Sequence, residues 1–118
     1  MPFPQTVDEM MEESERPVVV VDEGGLVVRV NEPFETAFGW RSEELIGRPL
    51  ATIIPERVRD AHNLGFSRFL ATSSPTILKQ RLDLNVMNRA GEVLNAEHFI
   101  VAKRENEHWL FAATIVPR

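Results

Sequence analysis

The spacing of apolar positions changes character along the chain. Residues 17–23 and 26–30 are Val-rich runs separated by Asp22-Glu23-Gly24-Gly25, which predicts two strands joined by a tight hairpin. Asn31 offers an N-cap for a helix ending at Phe38, with Pro33 in its first turn and Gly39 as its stop. Phe34 and Phe38 stand four apart, so both rings share one face. Ser42-Glu43-Glu44 opens another turn, with carboxylates at the positive end of the dipole and Gly47 closing it. A longer helix is expected over 55–71. Three strands follow near 77–88, 92–103 and 108–116, with turns at Asn88-Arg89-Ala90-Gly91 and Glu105-Asn106-Glu107. Strands and helices that do not alternate predict the α+β class with an antiparallel sheet. In the middle strand of these three, Leu94, Ala96, His98, Ile100 and Ala102 alternate with Asn95, Glu97 and Lys103. The first set is therefore expected to face inward.

Ahead of the first strand the pattern is helical. Thr6-Val7-Asp8-Glu9 has the form of a capping box, and Phe3, Val7, Met10 and Met11 fall on one side. So short a helix needs a surface to cover its apolar stripe. That surface is either its own domain or a second chain. Charge marks the same boundary: residues 1–15 hold five of the 18 acidic side chains and no Lys or Arg, leaving 13 acidic against 13 basic in the rest. The expected organisation is an amphipathic cap helix over residues 1–15 and one domain over 16–118.

Composition narrows the function. A chain of 118 residues with 43% apolar side chains suits one domain with its own core. The absence of Cys excludes disulfides, thiolate metal sites and cysteine nucleophiles. A net charge of −5 is the wrong sign for a dedicated nucleic-acid binder. The longest aliphatic run, residues 18–21, is too short for membrane insertion, and the acidic start lacks the cationic region of a secretion signal. A cytoplasmic location is expected. Glu12-Glu13 and Glu43-Glu44 read as solvated pairs, since adjacent helical positions do not face each other. Ser73-Ser74 have no evident His–Asp partners, and no glycine-rich phosphate loop occurs. No enzymatic activity is expected.

The stretches Asp22-Glu23-Gly24-Gly25, Val30-Asn31, Phe34, Phe38-Gly39-Trp40, Glu43-Glu44-Leu45-Ile46-Gly47-Arg48 and Ile54-Pro55 resemble the first half of a PAS domain in order and spacing. The long helix, the Arg89-Ala90-Gly91 turn and the last two strands resemble its second half. The resemblance covers about residues 16–116. It implies a five-stranded antiparallel sheet with short helices on one face, enclosing a pocket. It also implies a sensory or dimerisation module of the kind found in bacterial histidine kinases, cyclic-dinucleotide enzymes and transcriptional regulators. The ending Thr114-Ile115-Val116-Pro117-Arg118 lacks the Asp of the family's usual Asp-Ile-Thr-like signature.

On the long helix, Val58, His62, Gly65, Phe66 and Phe69 form one stripe, so His62 is expected to face the sheet. The stretch from His62 to Thr72, with Arg68-Phe69-Leu70-Ala71-Thr72, resembles haem-binding oxygen sensors of the FixL type. That resemblance implies haem b as cofactor and His62 as the axial ligand of its iron. It implies Arg68 beside a propionate, with Ile77 and Ile100 covering the gas-binding face. His98 departs from those sensors, which are apolar at its position. It is read either as a second axial ligand or donor to bound gas, or as a core-edge residue bonded to water, or as facing solvent if the strand slips by one residue. Leu82 stands where the sensors carry a regulatory arginine, and Arg81 beside it belongs to the opposite face. A flavin, a small organic acid or a purely structural His62 remain open. The expected function is ligand sensing relayed through homodimer contacts of the N-terminal helix and sheet face, or to an effector such as a histidine kinase or cyclic-dinucleotide enzyme. The alternative is a ligand-free dimerisation module.

Overall fold

A computed structural model describes residues 3–55 and 81–118. β1 (Val18–Asp22) and β2 (Val27–Val30) pair antiparallel through the predicted turn. The Asp22 carboxylate closes that turn by accepting the Gly24 and Leu26 N–H groups at 2.9 and 3.0 Å. Register slips between Val20 and Val21, so Val28 bulges out of the ladder. β3 (Arg81–Met87), β4 (Val93–Glu105) and β5 (His108–Pro117) complete a five-stranded antiparallel sheet of order β2-β1-β5-β4-β3. Val18 lies opposite Thr114, which sets the first and last strands side by side at the centre of the sheet.

The free edge of β2 is closed by the chain that follows. Val27 N–H reaches the Arg48 carbonyl, Gly47 N–H the Val27 carbonyl and Leu50 N–H the Gly25 carbonyl, each at 2.8 Å. This satisfies backbone groups that would otherwise invite another strand.

Three short elements cover one face. In α2 (Glu32–Phe38), Asn31 caps the helix by accepting the Phe34 N–H at 3.1 Å, and Gly39 ends it at φ 77°. The Arg89 N–H then takes the Phe38 carbonyl at 2.9 Å, tying the helix end to the β3–β4 turn. In α3 (Ser42–Leu45) the Glu44 carboxylate reaches back to the Arg41 N–H at 2.9 Å. A 3-10 turn spans Leu50–Ile53. Phe34, Phe38, Leu45 and Ile53 bury themselves against Val19, Val21, Val27, Phe111 and Ile115, making the inner core. The predicted helix over 55–71 and the start of the strand expected at 77 lie outside the described residues.

α1 (Val7–Glu12) lies on the opposite face of the sheet. Val7 and Met10, each 1% exposed, pack on Val18, Val20, Phe99, Val101 and Ala112. The apolar stripe thus finds its covering surface in its own domain. Only half of the predicted capping box forms as drawn. Thr6 Oγ1 accepts the Glu9 N–H at 3.0 Å, whereas the Glu9 carboxylate takes the N–H of Gln5 at 2.7 Å. Glu13 corrects a second expectation, because its side chain is buried and not solvated.

Candidate functional site

Alternation along β4 places Leu94, Ala96, His98, Ile100 and Ala102 on the inner face, and four of these pack against the inner core as predicted. Their neighbours Phe99 and Val101 belong to the outer core under α1. The ladder sets His98 between Leu82 of β3 and Ile115 of β5. Arg81, one residue away, stands opposite Phe99 and donates to Glu97 at 2.7 Å, so it occupies the outer face.

The inner face is not uniformly packed. Under β1, β2 and β5 the inward side chains are buried except Trp109, which is partly so. Toward β3 and β4 burial is mixed: Val86 and Ala96 are buried, Leu82, Leu94 and Ile100 are half-buried, and Leu84 is 42% exposed. His98 lies within this region yet is itself only 9% exposed. Burial pushes its pKa below the ordinary histidine value, opposed by a hydrogen bond to the Ala96 carbonyl. The imidazole is therefore neutral at pH 7.

Its tautomer follows from chemistry. Nδ1 lies 3.2 Å from the Ala96 carbonyl oxygen. A carbonyl only accepts, so the proton sits on Nδ1 and Nε2 carries the lone pair. Among the described residues nothing hydrogen-bonds to Nε2. A neutral imidazole with its second nitrogen anchored on a backbone carbonyl is the arrangement metal-bound histidines adopt, and it equally suits a hydrogen-bond acceptor. Ile100 is a half-buried apolar neighbour on the same face. His62, Arg68 and Ile77 lie outside the described residues. No group of three metal-ligating side chains occurs among the described residues.

Other polar features serve the scaffold. The Asn31 side chain accepts from the Val18 and Phe34 N–H groups at 2.9 and 3.1 Å and donates to the Glu13 and Arg16 carbonyls at 3.1 and 2.8 Å. Burial would raise the Glu13 pKa, but N–H groups of Glu15 and Arg16 and the Arg16 guanidinium outweigh it and lower the pKa. No pattern along the chain announced this role, which depends on a turn forming after α1. Trp40 donates to the Met87 carbonyl at 3.2 Å and packs on the inner core, so it acts as a packing residue. His108 is exposed and paired with Glu23. An open cleft of about 460 Å³ between residues 14–17 and α2 is lined by Ser14, Glu15, Glu32 and Thr36 but has no imidazole among its lining residues. The inner face, with its buried imidazole, is the better candidate.

No helix of the described residues is long and apolar enough to cross a membrane. The family model described as PAS fold matches residues 5–113. An uncharacterised protein of Azorhizobium caulinodans is 36% identical over 107 residues, covering 90% of this chain and 15% of that protein. The sensor protein FixL of Bradyrhizobium diazoefficiens is 33% identical over 61 residues, 52% of this chain and 12% of that protein. This chain thus spans less than a sixth of either relative. The PAS domain of a Desulfitobacterium hafniense protein superposes with a TM-score of 0.73 at 17% identity, covering 92% of this chain and 97% of that one. Sequence and architecture agree on one conclusion: the chain belongs to the PAS family.

Proposed function

We propose that this chain is the sensory domain of a bacterial signalling protein, in which residues 16–118 hold a small ligand between sheet and helices and residues 1–15 cap the outer face. One observation carries the reading. An apolar inner surface, half-buried at Leu82, Leu94 and Ile100, surrounds a buried imidazole whose Nε2 has no described partner. A ligand that fits one arrangement of these groups better than another shifts the domain between them, and a partner chain or effector domain reads the shift.

Haem is the first ligand to test, because about half of this chain is 33% identical to the sensor protein FixL and the resemblance read in the sequence implies His62 and Arg68 as the residues that would hold it. The described donor chemistry fits it: neutral imidazole is a good axial ligand, and Ile100 supplies an apolar wall. His62 would hold the iron, Arg68 a propionate, and Ile77 with Ile100 the opposite face, with His98 beside it. When bound, haem would supply an iron that takes a diatomic gas or changes oxidation state. The test is the absorption spectrum of protein produced with a haem precursor. A Soret band that vanishes in His62→Ala supports haem held by that residue. A colourless protein that yields no bound small molecule on extraction, yet dimerises, replaces this reading with the interaction module.

A further inference from the structure

Resting on the ligand-binding reading above, we propose that His98 selects its ligand as a lone-pair donor. The Nδ1 proton is held by the Ala96 carbonyl at 3.2 Å, so Nε2 can only accept a hydrogen bond or bind a metal. Its ladder neighbours Leu82 and Ile115 and its same-face neighbour Ile100 are apolar. An imidazolium there would lack a counter-charge, and no described carboxylate reaches the ring. The site therefore takes a molecule with an apolar body and a Lewis-acidic point, either an N–H or O–H group or an open position on a metal centre. Ligands that present only acceptors at that point, such as carboxylates, could bind there only by adding a proton to Nε2, which burial among apolar neighbours opposes. The same tautomer removes one role considered for His98, since Nε2 has no proton to give to a bound gas.

Phenol supplies an apolar ring with an O–H donor, haem an open metal position, and benzoate the same ring with acceptors alone. Long-range proton–nitrogen correlation spectra of the full chain are expected to show the Nδ1–H tautomer of His98 in the free protein. Phenol or haem is expected to shift the Nε2 resonance, with a response to phenol alone identifying the O–H source and a response to haem alone the metal. Benzoate is expected to leave it in place. His98→Leu, an apolar change of similar size, is expected to weaken the responding probe about tenfold, the value of one hydrogen bond. Protonated Nε2 in the free protein overturns the proposal, whatever the domain binds. So does a probe that binds His98→Leu as tightly as the parent, which would leave the ligand-binding reading intact. Binding of neither phenol nor haem, with no ligand extracted from the purified protein, overturns both.

Discussion

Asn31 shows how much one side chain can join. Its amide uses both donors and both acceptor positions on groups from the linker after α1, the start of β1 and the first turn of α2. Asn31→Ala removes an N-cap and strands several partners at once, so a loss of about 2–4 kcal/mol is expected from chemical denaturation. Asn31→Asp keeps the acceptors but turns a carboxylate toward two carbonyls. It should recover only part of the loss. At the other extreme, Asn106 and Glu107 both have positive φ, 52° and 67°, in the β4–β5 turn. Glu gains nothing local from that conformation, whereas Gly adopts it freely. Glu107→Gly is expected to raise the unfolding free energy by about 0.5–1 kcal/mol, read from denaturant titration. The Asn31 cap was legible in the sequence because a cap is decided within a few residues. Its bonds to Glu13 and Arg16 were not, because they depend on how the arm before β1 turns.

At the scale of elements, α1 is held by apolar packing and by the turn that Glu13 organises. Its carboxylate accepts the Glu15 and Arg16 N–H groups at 2.9 and 3.0 Å. The lowered pKa means the folded state binds this proton less readily than the unfolded chain. The contribution is therefore full above the unfolded value of 4.5 and is lost as pH falls through the lower folded value. Glu13→Gln should accordingly be less stable than the parent at pH 7, with the gap closing toward pH 3 in denaturant titrations. The amphipathic stripe of α1 was evident in the sequence, but its partner was not. A period of 3.6 identifies a face to be covered and carries no information about which surface covers it. In β4 the period of two was enough, because one buried face fixes the side on which every residue falls.

For the molecule as a whole, the contrast between a buried inner face under β1 and β2 and a partly exposed one at β3 and β4 separates stability from recognition. His98 sits on the recognition side, and it costs stability. Its folded pKa lies below the unfolded value of 6.5, so the unfolded chain takes up a proton first as pH falls. Stability should then drop as pH is lowered from 6.5 toward the folded value, and His98→Leu should remove that component of the thermal-midpoint profile. The sheet, its strand order at the two hairpins and the inward direction of His98 were legible because each follows from local turns and alternation. The half-burial of Leu82, Leu94 and Ile100 around His98 was not, since exposure depends on contacts between residues distant in sequence.

The adjacency of β1 and β5 has a consequence for how such a unit is wired. Pro17 accepts the Ile115 N–H at 3.0 Å, so the polypeptide enters the first strand and leaves the last one at nearly the same place. The arm that carries α1 and the end of β5 therefore leave the sheet side by side. A shear between β1 and β5 would then pull on both together.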